Sequence, residues 1–215
     1  MEYPEEKIKA IYDTSSSVPP ILSWYSEEFF TGLQRYRKKA ISLLNLTPDS
    51  IVLDAACGIG LNFGILEQHL KNEGKIIGVD ISPKTIHLAK KQMEKQGWTN
   101  IELVNMSLMD YRPAFLFDAI LCTQAMEIMP VASVDKIFSL RKPKGFFSMI
   151  GMKLSSQAPW RFANPFMEYF AKTGGIDIHR DVYKYIETKC EAVNYQNFLG
   201  GYYYILSIYK TCLKQ

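Results

Sequence analysis

The sequence has no marked excess of one charge, no long apolar run and no paired cysteines. Its 215 residues hold 25 Lys and Arg against 22 Asp and Glu, a net charge of +3. So small an excess makes no electrostatic case for a specific nucleic-acid partner. The apolar stretch from Ala114 to Cys122 falls far short of the roughly 20 residues that a membrane-spanning helix needs, so no transmembrane segment is expected. The opening Met1-Glu2-Tyr3-Pro4-Glu5-Glu6 is acidic and lacks the basic start and apolar core of a secretion signal, which leads to the expectation of a cytoplasmic protein. Cys57, Cys122, Cys190 and Cys212 are far apart, with no Cys-x-x-Cys pair and no adjacent His. Neither a metal site nor a disulfide framework is indicated, and four buried, reduced thiols are expected.

What is present is the balance of an ordinary globular domain, 47% hydrophobic and 22% charged, in a chain long enough for one sizeable core. From Ile51 onward apolar runs alternate with helical patterns, the mark of repeated β-α units and a mostly parallel sheet. Strands are expected at about 51–55, 75–80, 101–105, 117–122 and 145–151. Leu61 to Lys71 places Phe63, Leu66 and Leu70 at helical spacing, and Ser82-Pro83 opens a helix that should end near Gly97. Pro143-Lys144-Gly145 reads as a turn feeding the fifth strand. Helices near 164–172 and 180–189 precede two strand-like runs, Ala192 to Phe198 and Tyr202 to Lys210. Only Leu199-Gly200-Gly201 separates those runs, which suits an antiparallel hairpin and leaves no room for a crossover helix. The expected fold is α/β and Rossmann-like: a seven-stranded, mostly parallel sheet with helices on both faces and an antiparallel C-terminal strand. Residues 1–46, two helices joined by Ser15-Ser16-Ser17-Val18-Pro19-Pro20, form an expected N-terminal helical lid. Residues 47–215 form the core of what is overall a single domain.

Two elements carry chemistry. In Val52-Leu53-Asp54-Ala55-Ala56-Cys57-Gly58-Ile59-Gly60-Leu61-Asn62 a strand runs into a glycine turn and then a helix. Glycines there allow a sharp turn and a close ligand approach, and the helix start favours an anion. A Gly-x-Gly loop also occurs as a plain tight turn. The second element, Ile76-Ile77-Gly78-Val79-Asp80, is a buried strand ending in an acid, where a carboxylate can accept hydrogen bonds from both hydroxyls of a ribose.

Together these resemble the class I S-adenosylmethionine-dependent methyltransferases from about Tyr25 to Lys210. Phe117-Asp118-Ala119-Ile120-Leu121-Cys122 is similar to the family's fourth-strand motif, and Leu140-Arg141-Lys142-Pro143-Lys144-Gly145 to its turn before the fifth strand. The resemblance implies S-adenosyl-L-methionine as cofactor. It assigns Asp54 to the methionine amino group, directly or through water, Gly58 and Gly60 to the loop, and Asp80 to the ribose. Ala56, Asn62, Ile81 and Cys122 complete the implied cofactor set. One departure concerns adenine: many members carry an acid after the third strand, where this chain has Ser107, so recognition falls to Ser107, the backbone of Leu108 and packing by Met106. Asp110, three residues on, reads as an exposed loop acid.

Methyl transfer needs positioning more than side-chain chemistry, and the catalytic group is left unassigned, with Tyr25 and Glu127 as candidates. Tyr12, Tyr25, Arg37, Gln124 and Glu127 are the candidate substrate residues. Tyrosines can pack on a cationic sulfonium or amine but more often serve as core or lid, and Glu127 most often would lie on a helix surface. The basic run Arg35, Arg37, Lys38 and Lys39 is chiefly a solvated helix face, with room for one member to meet an anion. The segment around Arg35 to Ala40, the loop through Phe63 and the tail from Asp177 to Tyr204 resemble the subgroup of ubiquinone and menaquinone methyltransferases, phospholipid N-methyltransferases and aminocarboxypropyl transferases. That implies a small-molecule or lipid-like acceptor, an amine among them, and leaves room for peripheral membrane contact. The alternatives are an NAD(P)-dependent oxidoreductase, because Gly58-x-Gly60-x-x-x-Gly64 also fits a dinucleotide loop, and a non-catalytic S-adenosylmethionine-binding regulatory protein. Asp54 counts against a dinucleotide, since it would face a pyrophosphate with like charge.

Overall fold

In Ile51-Val52-Leu53-Asp54-Ala55 successive side chains face opposite sides of a strand, and four of the five are buried. This is β1 (Ile51–Ala55), the middle of the sheet. The computed structural model describes residues 4–15, 32–190 and 193–209. β2 (Lys75–Asp80) and β3 (Ile101–Asn105) lie on one side of β1, and β4 (Phe117–Thr123) and β5 (Arg141–Met152) on the other, all parallel. β7 (Tyr203–Ile208) runs antiparallel to both β5 and β6 (Val193–Phe198), giving the order β3-β2-β1-β4-β5-β7-β6. The seven-stranded Rossmann-like sheet is the expected one. The chain progresses outward from β1 to β3 and then returns to β4 on the other side of β1, which opens a crevice at the carboxyl ends of β1 and β4.

Both faces are covered, so the strands read as continuous apolar runs. Val52 and Ile76 face one layer with α2 (Leu33–Ser42), α3 (Phe63–Leu70) and α4 (Pro83–Gln96). Leu53 and Ile77 face the other, with α5 (Ala132–Leu140) and α7 (Val182–Lys189). Ser82 caps α4 as its sequence suggests, its hydroxyl accepting from the Thr85 N–H at 3.2 Å, and Gly97 ends the helix at φ 70°. The C-terminal hairpin turns through Gly200 and Gly201 at φ 66° and 87°.

Two expectations need correction. Pro143-Lys144-Gly145 does not precede β5 but lies within it: the register with β4 jumps from Phe117↔Arg141 to Ala119↔Phe146, so the residues between are bulged. A bulge tolerates Pro because its extra residues need not donate to the ladder. Of the residues 1–46 expected as a helical lid, the described α2 is built into the core with Leu33, Ala40 and Ile41 fully buried, while α1 (Glu5–Ser15) packs on α4. Finally, Cys57 and Cys122 are buried free thiols, but Cys190 is disulfide-bonded, so four reduced thiols are not found. Separation along the chain does not limit which cysteines meet in space; Cys212 lies outside the described residues. No described helix is long and apolar enough to cross a membrane.

Candidate cofactor and acceptor site

Beyond Ala55 the backbone enters the left-handed region three times, at Ala56 (φ 56°), Gly58 (φ 55°) and Gly60 (φ 83°). The two glycines differ in purpose. A Cβ on Gly60 would lie 2.6 Å from the Phe63 ring, whereas one on Gly58 would meet nothing within 4 Å. Gly60 is therefore required by packing, and Gly58 leaves space on the wall of a cavity of about 500 Å³ at the carboxyl end of the sheet, a size suited to a small organic ligand. Ala56, Gly58, Asp80, Ile81, Ser107 and Leu108 line this cavity, as do Tyr12, Arg37 and Gln124. Asp54, Gly60, Asn62, Cys122 and Glu127 do not.

Asp80 ends β2 and is held from three directions. Its Oδ2 accepts from the Gly58 N–H at 2.9 Å, and its Oδ1 from the Ser82 N–H and the Thr85 hydroxyl, each at 2.9 Å. Each carboxylate oxygen has two lone pairs, so Oδ2 retains capacity for a ligand hydroxyl. Burial raises the Asp80 carboxyl above the usual range, opposed by these hydrogen bonds. The Tyr12 phenol beside it is pushed up to about 12, by burial first and by the Asp80 charge second.

Asp54 is fully buried behind the loop. Asn62 donates its amide to both Asp54 oxygens at 3.0 and 3.1 Å and to the Thr123 hydroxyl at 3.0 Å. Arg37, buried on α2, donates to Asn62 Oδ1 at 3.0 Å, Thr123 Oγ1 at 2.7 Å and Gln124 Oε1 at 2.7 Å. Asp54 thus reaches the cavity only through this network. Burial raises its carboxyl to about 7, against the lowering effects of the Asn62 hydrogen bond and the Arg37 charge. Gln124, at φ 59°, is turned toward Arg37 by a strained backbone at the end of β4.

α1 closes the opposite end. The Ser107 hydroxyl donates to Glu5 Oε1 at 2.6 Å, and Lys84 Nζ donates to the Asp13 carbonyl at 2.7 Å. Glu5 and Ile8 line the cavity with Tyr12.

A methyltransferase-domain family matches residues 52–145, the stretch from β1 to the bulge of β5. A demethylmenaquinone methyltransferase of Bacteroides fragilis is 28% identical over 153 residues, covering 63% of this chain and 60% of the relative. A ribosomal RNA small subunit methyltransferase H of Dictyoglomus turgidum is 29% identical over 114 residues, 50% of this chain and 38% of the relative. The chain therefore spans less than two thirds of the length of these curated relatives. The structure of N-methyltransferase NodS from Bradyrhizobium japonicum WM9 with S-adenosyl-L-homocysteine aligns with TM-score 0.62 at 13% identity, over 85% of this chain and 87% of that one. At that identity the likeness shows the fold. Residues 52–145 carry a methyltransferase domain, and the matches support a class I S-adenosylmethionine-dependent methyltransferase. Neither the oxidoreductase alternative nor the regulatory one gains support from these matches.

Much of the rest of the cavity is apolar, with Thr85, Thr123 and Ser133 among its polar lining. Ala125, Ile128, Met129, Met152 and Ile176 form its wall, and Phe170, largely exposed on α6 (Asn164–Thr173), stands at the edge. Glu127 is neither on a helix surface nor on the rim. It is 2% exposed, accepts from the Tyr204 hydroxyl at 2.8 Å, and burial raises its carboxyl to about 7. It points under β5, where a Cβ on Gly151 would lie 2.4 Å from its Oε1. Tyr25 lies outside the described residues. Sequence reasoning missed Thr85 and Thr123, whose positions one helical turn past Asp80 and at the end of β4 were available signals. It also missed Glu5, which local sequence ties to nothing near Ser107.

Proposed function

We propose that this chain transfers the methyl group of S-adenosylmethionine to a small, largely apolar acceptor, an amine or a lipid-like molecule. The observation that carries the reading is the single cavity shared by Gly58, Asp80 and Arg37: an acid suited to ribose hydroxyls, a backbone without a Cβ, and a cation suited to a carboxylate. The open space at Gly58 and the remaining lone pair of Asp80 Oδ2 fit the cofactor. S-adenosylmethionine, when bound, would supply a methyl group already activated on a sulfonium. The chain's part is to bind, orient and exclude water. Arg37, fixed by Asn62, Thr123 and Gln124, would hold the carboxylate end, Asp80 the ribose, and Ile81 and Leu108 the base.

The apolar wall of Ala125, Ile128, Met129, Met152 and Ile176 supports an acceptor with a hydrophobic body. The menaquinone relative and the N-methyltransferase neighbour are consistent with quinol-like and amine acceptors respectively. α1 acts as the lid, a role narrower than residues 1–46, and the exposed Trp160, Phe162, Phe166 and Tyr169 beside Phe170 suit peripheral contact with a membrane. Work in the cytoplasm belongs to the same reading; the two buried free thiols favour it and the Cys190 disulfide counts against it.

Calorimetric titration with S-adenosylmethionine, S-adenosylhomocysteine, NAD and NADP tests the cofactor. Binding of the two adenosyl sulfur compounds alone is expected, and binding of a nicotinamide dinucleotide alone would overturn the reading. Incubation with labelled cofactor and either simple amines, hydroquinones or phosphatidylethanolamine vesicles then tests the acceptor.

A further inference from the structure

We propose that Glu5, carried in by α1, is the carboxylate that recognises the exocyclic amino group of the cofactor's adenine. The proposal rests on the cofactor reading above and deepens it. Among the described residues lining the cavity, Glu5 and Asp80 are the two acids, and Asp80 is committed to the ribose. The direction of the base follows from the sheet. Asp80 pairs with Asn105 across β2 and β3, and the Met106 N–H donates to the Asp80 carbonyl at 3.1 Å. The Gly58 loop lies on the β1 side of Asp80 and Ser107 to Met109 on the β3 side. A nucleoside whose ribose sits at Asp80, with its other end toward Gly58 and Arg37, therefore directs its base at Ser107, Leu108 and Met109, all of which line the cavity.

An adenine amino group needs an acceptor there, and the end of β3 supplies the hydroxyl of Ser107. That hydroxyl donates to Glu5 Oε1 at 2.6 Å while its oxygen accepts from the Met109 N–H at 3.2 Å. Ser107 is thus a positioning residue that holds the carboxylate at the base edge, and the two carboxylate oxygens have lone pairs beyond the one Ser107 uses. α1 is anchored for this by Ile8, which is buried, by Lys84 on the Asp13 carbonyl and by Ser82 donating to Asp13. A carboxylate at this position discriminates: it attracts an amino group and repels the oxo group of a deaminated base. The base pocket is then completed by a helix outside the β-α core, and cofactor binding and α1 docking reinforce each other.

The test is calorimetric titration of the full chain with S-adenosylhomocysteine and with S-inosylhomocysteine, which carries an oxo group in place of the amino group. The wild-type chain should prefer the adenosyl compound by roughly 10- to 100-fold, the range of a charge-assisted hydrogen bond. Glu5→Ala should bring the two affinities together mainly by weakening the adenosyl compound. Glu5→Gln, which keeps shape and can donate to an oxo group, should narrow or reverse the preference. Ser107→Ala should reduce it in part. A folded Glu5→Ala or Glu5→Gln chain that keeps the wild-type preference would overturn the proposal alone. Failure of the wild-type chain to bind either compound would instead overturn the cofactor reading and this proposal with it.

Discussion

Asn62 donates its side-chain amide to both carboxylate oxygens of Asp54, at 3.0 and 3.1 Å. The acid next to the glycine loop is therefore engaged from within the protein, and it acts on the cavity through Asn62, Thr123 and Arg37. Asn62 stands at the start of α3 but makes no capping bond to it, because its side chain is turned back to the buried acid. A residue type that normally caps a helix is used here to join α2, β1 and β4.

That junction makes Arg37 a residue of both stability and binding. Arg37→Met should cost roughly 1.5–3 kcal/mol, since three buried acceptors lose a charged donor. The loss would be read as a lower urea midpoint at unchanged slope. Cofactor affinity should fall as well; an unchanged affinity in the folded variant would remove Arg37 from the site.

Asp80→Ala should weaken binding of S-adenosylhomocysteine by roughly 1.5–3 kcal/mol. It also removes the acceptor of the Gly58 and Ser82 N–H groups and one of the two acceptors of the Thr85 hydroxyl, so the melting temperature should drop too. Calorimetry that finds wild-type affinity would place the ribose elsewhere.

The two loop glycines should fail differently. Gly60→Ala meets the Phe63 ring at 2.6 Å and carries φ 83°, which should destabilise the fold by about 2–4 kcal/mol. Gly58→Ala has open space around its Cβ, so only the backbone cost of about 1–2 kcal/mol remains, while the new methyl enters the cavity and impairs cofactor binding. Urea titration and calorimetry on both variants separate the two effects; equal losses in both measurements would contradict the assignment.

Stability should fall as pH rises from about 4 to 7. Glu127 is raised from 4.5 to about 7 and Asp54 from 3.8 to about 7, each chiefly by burial. The folded state therefore binds these protons more tightly than the unfolded chain in that window, so unfolding releases protons and alkali favours it. Below both unfolded values, and again above the folded ones, the contribution is flat. Glu127→Gln keeps an acceptor for Tyr204 without a charge to bury and should flatten part of the slope, stabilising the chain at pH 8 by up to roughly 3 kcal/mol. Melting curves from pH 4 to 8 check this, and an unchanged slope in the variant would show that Glu127 is not the group responsible.

The layered fold was legible because local patterns specify it. Alternating apolar runs and helical spacings located the strands, Ser82-Pro83 and Gly97 marked α4, and the short link at Leu199–Gly201 required a hairpin. The glycine loop and Asp80 were legible for the same reason, since each belongs to one strand end whose direction a parallel sheet sets. The bulge at Pro143-Lys144-Gly145 was misread because a bulge and a turn share the same residues and differ only in the pairing beyond them.

The sequence by itself determined the sheet, the loop and the acid that ends β2, all products of contacts between near neighbours along the chain. The tertiary structure alone decided that Arg37 reaches Thr123 across 86 positions and Ser107 reaches Glu5 across 102. It also decided that Glu127 turns beneath β5 to Tyr204, not toward the cavity. The physical reason is that burial and hydrogen bonding act through space. A side chain's partner, and with it the charge it can carry, is set by which distant segments the packed layers bring together.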